Sequence, residues 1–312
     1  MKWYFILLIV IGSTCLFLFM FTYFCFYLAF YVKRKKKVDK EKIETPKGKI
    51  YEPYKEKMIK WIKEMRTYPH THHYITSFDG LKLHASYYEK QKGGIIEIMF
   101  PGYRGSAERD LAGGIARAFK INHNVLMVDQ RTSCDSEGNV VTFGIKERFD
   151  CVKWAKYVVE NIDPDAKIIL TGVSMGAATV ILASELDLPK NVIGILADCG
   201  FSSQKAIISK VIKQIHLPAK IFYPFVKLGA KIFGKFNIEE RAPIDAAKNT
   251  NLPIIFFHGD EDNFVPHHMS IDMYNSKKDK KEILIVPKAG HGLAYILNPP
   301  VYLEKLINFF EK

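Results

Sequence analysis

Short apolar runs alternate with helix-like stretches over most of this chain. Four of the runs have the length and composition of buried strands, at residues 95–100, 167–171, 253–257 and 282–287. Residues 107–120, which follow the first of them, have apolar side chains at helical spacing. Strands that alternate with helices predict a mostly parallel, doubly wound sheet with helices on both faces, which is an α/β fold.

Residues 3–32 contain no charged side chain. A bilayer core needs about 20 apolar residues for one helix, whereas the apolar core of a cleavable signal peptide has about 7–15. A soluble helix of this length would not be apolar on every side. The pattern therefore predicts one transmembrane helix that anchors the chain in the cell membrane with a single pass.

Basic residues flank this apolar segment unequally. Residues 33–37 are all lysine or arginine, whereas only Lys2 and the terminal amine precede the segment. Because basic flanks stay in the cytoplasm, the count predicts an outside amino terminus and a cytoplasmic main domain. Residues 1–40 carry seven basic residues and one acidic residue, which is half of the chain's net charge of +12. The remainder is only mildly basic, so nucleic-acid binding is not expected.

The sequence divides into three parts. Residues 1–37 hold the anchor and its basic flank, residues 38–69 form a lysine- and glutamate-rich connector, and residues 70–312 form the main domain. The connector ends in a predicted amphipathic helix whose apolar side chains recur at helical spacing, at Met58, Trp61, Ile62 and Met65. We expect this apolar stripe to pack on the main domain.

Residues 172–176 form the pentapeptide G-V-S-M-G, between the predicted strand 167–171 and a helical run of small residues. Glycines two before and two after the serine let the chain turn sharply and let strand and helix approach closely. A serine on such a turn projects its hydroxyl from the top of the sheet. The alternative is a chance glycine-serine turn, but the flanking strand and helix favour Ser174 as a nucleophile.

A nucleophilic serine needs a base and an acid, and the downstream loops supply candidates for both. The loop at residues 258–266 holds three acids, Asp260, Glu261 and Asp262. His291 stands between two glycines in the loop after strand 282–287, where it is free to reach the serine. We therefore predict His291 as the base. His258, at the exit of its own strand, is expected to make a structural hydrogen bond instead.

At these positions the chain resembles the α/β-hydrolase superfamily. The pattern H-G-x-x-D-x-x-V-P at residues 258–266 is similar to the family's acid loop, whose fifth residue is the acid of the triad, so the resemblance implies Asp262. Further segments resemble bacterial membrane-anchored serine hydrolases of the serine aminopeptidase-like and acyl-hydrolase group, at residues 79–83, 129–131, 142–144, 197–201 and 289–292. The resemblance covers roughly residues 60–312 and implies the α/β-hydrolase fold.

The resemblance also implies an oxyanion hole made of two backbone N–H groups. One belongs to Met175, the residue after the serine. The other belongs to Tyr103, in the loop that follows strand 95–100. Pro101 stands where the family usually has histidine, a difference that leaves the backbone donor untouched.

Residues 202–250 form an insertion rich in apolar and aromatic side chains. Its pattern predicts two or three helices over the carboxyl edge of the sheet, where open α/β folds bind ligands. As a cap it would form an apolar acyl-binding cavity above Ser174. The alternative is that its side chains only pack the cap onto the core, and both can hold at once. An apolar cap offers no carboxylate for the free amine of a peptide, which favours an ester as substrate.

Together these features predict a membrane-anchored serine hydrolase that cleaves a small-molecule or lipid-like acyl ester through Ser174, Asp262 and His291. The alternatives are an aminopeptidase, acyltransferase or thioesterase with the same triad, and a catalytically silent membrane scaffold. No metal and no organic cofactor is expected. The three histidines within residues 70–73 are expected on the surface, because no carboxylate or cysteine stands at metal-ligand spacing from them.

Overall fold

The structure is a computed structural model that describes residues 3–33 and 42–311. In the described chain, eight strands form one sheet: β1 (Thr71–Thr76), β2 (Lys82–Tyr88), β3 (Ile96–Phe100), β4 (Asn124–Asp129), β5 (Ile168–Val173), β6 (Val192–Asp198), β7 (Ile254–Gly259) and β8 (Lys281–Val286). Their spatial order is β1-β2-β4-β3-β5-β6-β7-β8. β2 runs antiparallel to β1 and β4, and the other neighbours are parallel. The predicted mostly parallel sheet is confirmed.

Helices precede, connect and follow these strands. They are α1 (Trp3–Phe30), α2 (Lys55–Thr67), α3 (Ala107–Lys120), α4 (Glu147–Asn161), α5 (Met175–Ala183), α6 (Gln204–Gln214), α7 (Ala219–Ile232), α8 (Pro243–Asn249), α9 (His268–Ser276), α10 (Ala294–Leu297) and α11 (Pro299–Phe310). Residues 34–37 of the basic flank, which determine the predicted orientation, and residues 38–41 of the connector lie outside the described residues.

The helices cover both faces of the sheet, because successive side chains of a strand point to opposite sides. In β3, Ile98 packs in the core with α4, α5, α8 and α9, whereas Met99 packs against α2 and α3. In β5, Leu170 lies on the first of these faces and Ile169 lies on the second, with α10 and α11. All four side chains are fully buried, so the sheet is doubly wound as predicted.

The insertion at residues 202–250 forms α6, α7 and α8. Ile207 of α6 and Val226 of α7 share a hydrophobic cluster with Met175, so these two helices lie beside the carboxyl edge of the sheet. α8 belongs to the main core instead, because Ala246 and Ala247 are buried there near α5. The part of the insertion beside the carboxyl edge of the sheet is therefore the pair α6 and α7, which we call the cap.

Helix α1 has two different halves. Large apolar side chains between Trp3 and Met20 are exposed, whereas Phe26 and Phe30 are buried in the cluster that includes α7. The helix is long and apolar enough to cross a membrane. Directly after it, the Val32 amide donates a hydrogen bond to a carbonyl of the main domain. The carboxyl-terminal half of α1 is therefore part of the folded domain.

Candidate active site

Ser174 occupies the turn between β5 and α5. Its φ is 56° and its ψ is −115°, and the residue is 6% exposed. Such a conformation is rare for a residue with a side chain and costs about 1–3 kcal/mol. A Cβ on Gly172 would lie 2.2 Å from the Gly176 carbonyl, and one on Gly176 would lie 2.1 Å from the Phe100 oxygen. The motif therefore forms the sharp turn that the sequence predicts, and only glycine fits on either side of the serine.

Asp262 and His291 form a hydrogen-bonded pair beside this turn. The Nδ1 atom of His291 lies 2.6 Å from Oδ2 of Asp262. Burial alone would raise the pKa of Asp262, but hydrogen bonds from His258 and His291 hold it well below its ordinary value. Asp262 is therefore an ionised acceptor that orients the His291 ring. His258 bonds Asp262 through Nε2 and Ser270 through Nδ1, which is the structural role expected for it.

A cysteine with no role in the sequence-based hypothesis touches the same histidine. The Sγ atom of Cys199 lies 3.9 Å from Nε2 of His291. In the described part of the chain, Ser174 makes no hydrogen bond to this nitrogen. Burial holds the pKa of Cys199 well above its ordinary value, so Cys199 is a neutral thiol. Contacts between a nucleophile and its base are often long in the absence of substrate, so Ser174 stays the candidate nucleophile.

The loop after β3 passes beside Ser174. A Cβ on Gly102 would lie 3.8 Å from Oγ of Ser174, and the Gly102 amide donates to Asp110 Oδ2 at 3.0 Å. Tyr103 is the next residue of this loop. Met175 is the first residue of α5, and the first amides of a helix have no partner within the helix. The residues that carry the two predicted oxyanion donors therefore lie on the two segments next to the serine.

The side chains of this loop bind the end of α1. The Tyr103 hydroxyl donates to the carbonyl of Ala29 at 2.7 Å. The Arg104 guanidinium donates to the carbonyls of Leu28 and Tyr31, each at 2.9 Å. The last carbonyls of a helix receive no hydrogen bond from an amide of the same helix. The bonds from Tyr103 and Arg104 therefore cap the carboxyl end of α1. They join the apolar helix directly to the loop beside Ser174.

A cavity of about 1250 Å³ opens beside Ser174 and His291. Its wall comes from the connector, α2, α3 and α10, and none of residues 202–250, all of which are described, lines it. This cavity is therefore not the one expected under the cap, where α6 and α7 use their apolar side chains to pack on α1 and Met175. An acyl cavity under the cap stays a prediction. The connector lies over the site instead, where the Tyr51 hydroxyl donates to the His291 carbonyl at 3.0 Å.

The end of β6 places a carboxylate in this cavity. Asp198 is buried, and burial raises its pKa to about 6. Its Oδ2 accepts a hydrogen bond from the Tyr302 hydroxyl at 3.0 Å, whereas Oδ1 has no partner among the described residues. In the sequence, Asp198 stands out only within a segment that resembles the family. Its partner Tyr302 is 104 residues further along the chain, so no local pattern reveals the contact.

The histidines near β1 have neighbours that spacing along the chain does not show. His70 and His72 are exposed, as expected, whereas His73 is half-buried and its Nδ1 lies 3.0 Å from the Tyr157 hydroxyl. The Nδ1 atom of His72 lies 2.9 Å from Nε2 of His84, and Nδ1 of His84 lies 2.8 Å from Oδ2 of Asp129. His84, Asp129 and Asp135 lie close enough together to hold a metal ion. The pairing of β2 with β4 creates this cluster, so spacing in the sequence does not decide the question of metal binding.

Comparison with known proteins identifies the family. Residues 142–312, more than half of the chain, match the prolyl oligopeptidase family. The chain belongs to the prolyl oligopeptidase family. Together with the fold, this membership places the protein in the α/β-hydrolase superfamily, as the resemblance implied.

Two curated relatives of this prolyl oligopeptidase family member carry the name uncharacterized protein. YqkD of Bacillus subtilis (strain 168) is 23% identical over 189 residues, which are 60% of this chain and 62% of YqkD. YfhR of Escherichia coli (strain K12) is 24% identical over 192 residues, which are 60% of each protein. The chain therefore matches about three fifths of the length of these relatives.

Solved structures share the fold at low sequence identity. The Pyrococcus furiosus esterase Pf2001 has a TM-score of 0.63 and 21% identity, over 80% of this chain and 94% of its own. Est1E from Butyrivibrio proteoclasticus, solved with ferulic acid, has a TM-score of 0.57 and 17% identity, and the match covers 77% of this chain and 100% of Est1E. A puromycin-hydrolyzing peptidase of Mycobacterium tuberculosis has a TM-score of 0.60 and 17% identity, and the match covers 78% of this chain and 39% of the peptidase. Esterases and peptidases thus share this architecture.

Proposed function

We propose that this hydrolase cleaves an ester of a small-molecule or lipid-like acyl group through a covalent acyl-enzyme. Ser174 is the nucleophile, His291 is the general base and Asp262 orients the base. The observation that carries the proposal is the position of Ser174. It stands on a strained turn, next to the Gly102 loop on one side and the Asp262–His291 pair on the other.

Besides the ester, the mechanism needs only water from outside the chain. Ser174 Oγ attacks the acyl carbonyl while His291 Nε2 takes its proton, and the Tyr103 and Met175 amides donate to the oxyanion. The bond to the leaving alcohol then breaks, and His291 returns the proton to the alcohol. Water, deprotonated by His291, attacks the acyl-enzyme and releases a carboxylic acid and free serine. Asp262 stays ionised throughout, because its carboxylate accepts the Nδ1 hydrogen bond.

The cavity favours an acyl chain as the bound group. Met58, Trp61 and Ile62 of α2 contribute apolar side chains to its wall. An aminopeptidase, acyltransferase or thioesterase would use the same acyl-enzyme and would differ in the leaving group or the acceptor. A silent scaffold would not account for the strained conformation of Ser174, because strain of this kind is retained mainly at functional sites.

The proposal includes anchoring in the membrane by α1. Its exposed part, Trp3 to Met20, has ~18 residues and a length of about 27 Å, close to the hydrocarbon thickness of about 30 Å. The following turns pack on α7 and on the loop of Tyr103. This arrangement would hold the active site next to the membrane surface, which suits a lipid-like substrate.

Labelling of the full chain in membranes with a fluorophosphonate probe tests the proposal, since the probe reacts with an activated serine. We expect labelling of the wild type, and loss of labelling with a fall of about 10³-fold or more in p-nitrophenyl ester turnover for Ser174→Ala. Cys199→Ala is the matched control, because it removes the other nucleophilic atom near His291. Labelling that survives in Ser174→Ala contradicts the proposal, and an unlabelled wild type favours the scaffold.

A further inference from the structure

The cavity beside Ser174 extends away from the cap, between the second face of the sheet and helices α2, α3 and α10. Its apolar wall includes side chains from the sheet as well as from α2, among them Met99 and Leu196. Asp198 lines the same cavity and has no role in the mechanism proposed above. A buried carboxylate that the mechanism does not use thus lies in the cavity that leads to the nucleophile.

Asp198 lies directly next to the nucleophile. It is the last residue of β6, and it pairs in register with Val173, the residue before Ser174. The Ser174 amide donates to the backbone carbonyl of Asp198 at 2.8 Å. Side chains of paired residues lie on the same face of a sheet, and both Val173 and Asp198 line the cavity. A group bound at Asp198 therefore lies close to an acyl carbonyl held at Ser174.

One oxygen of this carboxylate lacks a donor. Oδ2 accepts the hydrogen bond from Tyr302, but the buried Oδ1 has no hydrogen-bond partner among the described residues. A buried acceptor without a donor is costly, and more so when it carries charge. A ligand that brings a donor to Oδ1 would remove this cost.

The two arginines of the cavity wall, Arg109 and Arg117, are already paired. The Arg117 guanidinium donates to Oε1 of Glu97 at 2.9 Å, and Arg109 Nε donates to Oδ1 of Asp110 at 2.6 Å. Across the described ranges, no salt bridge joins Asp198 to a basic side chain. The pKa of about 6, raised by burial, still leaves Asp198 ionised at pH 7. The cavity thus contains a carboxylate that no cation among the described residues meets in a salt bridge.

We propose that Asp198 binds the positively charged amine of an aminoacyl substrate. The proposal rests on the Ser174 chemistry proposed above and names the class of acyl group that reaches it. An ammonium group supplies both the missing donor and the balancing charge, and hydrogen bonds between charged partners are stronger than those of a neutral hydroxyl. The Tyr295 hydroxyl, also buried in the cavity wall and without a partner in the described part of the chain, offers a further acceptor.

Two pairs of 4-methylumbelliferyl esters test the proposal at pH 7. In the first pair, the leucyl ester carries an α-amine that the 4-methylpentanoyl ester lacks. In the second pair, the 6-aminohexanoyl ester carries a terminal amine where the heptanoyl ester has a methyl group. The readout is the ratio of kcat/KM for the amine to that for its neutral partner, which cancels any general loss of activity. We expect Asp198→Asn to lower this ratio by about tenfold or more in at least one pair, because the charge-assisted contact is lost.

Asp187→Asn is the matched control, because Asp187 is a highly exposed carboxylate whose substitution should keep both ratios. Unchanged ratios for both pairs in a folded Asp198→Asn protein overturn the proposal. If Asp198→Asn does not fold, a protection assay on the wild type tests the proposal instead. We expect n-hexylammonium to protect Ser174 from the fluorophosphonate at a lower concentration than 1-hexanol does. Equal protection by the two compounds overturns the proposal as well.

A measurement without catalysis separates this proposal from the proposed hydrolysis. We expect n-hexylammonium chloride to raise the Tm of the full chain in detergent more than 1-hexanol does. With ester turnover absent and this difference present, the proposed hydrolysis fails while the amine site stands. With turnover present and no difference in Tm or in the ester ratios, the amine site fails alone.

Discussion

At the scale of single residues, Asp262 differs from its neighbouring acids in burial and in the number of donors around it. Its Oδ1 accepts hydrogen bonds from the backbone amides of Phe264 and Val265, at 2.9 and 2.8 Å. Its Oδ2 accepts hydrogen bonds from the rings of His258 and His291. Asp260 lies on an exposed turn and accepts only the Lys288 amide among the described groups, at 2.7 Å. The loop thus holds one acid for the base and uses another to join it to the loop after β8, which carries His291.

Substitution of the two aspartates by asparagine should separate these roles. We expect Asp262→Asn to lower kcat by about 10⁴-fold, because an amide no longer holds His291 in the tautomer that accepts the serine proton. Asp260→Asn, an isosteric change in the same loop, should alter kcat little. Steady-state turnover of a p-nitrophenyl ester measures both. If Asp260→Asn has the larger effect, the acid has been assigned to the wrong residue of the loop.

At the scale of elements, α1 and α7 approach closely because a glycine stands at their contact. Gly229 is buried, and a Cβ there would lie 2.8 Å from Cβ of Phe26 and 3.0 Å from the Thr22 carbonyl oxygen. Aromatic side chains from the two helices pack edge to face around this point, with ring centroids of Phe21 and Phe225 4.9 Å apart. Any larger residue at 229 must push the helices apart.

A bulky residue at this contact should therefore destabilise the docking of the anchor. We expect Gly229→Leu to lower the free energy of unfolding by about 1–3 kcal/mol, the usual cost of overpacking, with a lower Tm of the full chain in detergent. Lys231→Leu adds the same side chain at an exposed position of α7 and serves as the control. Equal Tm values for Gly229→Leu and the wild type would show that α1 does not pack on α7 in solution.

At the scale of the whole molecule, α1, the helices α6 and α7 and the candidate active site form one connected unit. The end of α1 is capped by Tyr103 and Arg104, next to Ser174, and its last turns pack on α7. Because these contacts join α1 to the site, the orientation of α1 in a membrane would also determine the side that the active site faces. The orientation itself depends on the basic flank at residues 33–37.

Protease added to intact cells should leave the main domain uncut. Five basic residues after the apolar segment, against Lys2 and the terminal amine before it, favour a cytoplasmic domain. Immunoblotting of the full chain before and after digestion measures the outcome, and permeabilised cells supply the control in which the domain is cut. Digestion in intact cells reverses the orientation. It would also move the proposed substrates from cytoplasmic acyl compounds to envelope or environmental esters, with the Ser174 chemistry unchanged.

The sequence by itself determined the features whose physics is local. The strand-to-helix turn at Ser174 depends on two glycines within two residues of it, and the apolar helix depends on composition alone. The alternation of strands and helices predicts the doubly wound sheet, because the period of apolar side chains reflects the local backbone. The resemblance added Asp262, and the structure brings it to 2.6 Å from His291.

The tertiary structure decided which distant residues share the site. Asp198 meets Tyr302, and Cys199 meets His291, only because β6 ends beside the loops that follow β5, β7 and β8. The cavity lies under the connector rather than the cap, because α6 and α7 bury their apolar side chains against α1. Apolar composition predicts that a segment is buried but does not specify its partner. That choice depends on shape and on contacts between segments far apart in the chain, which no local pattern contains.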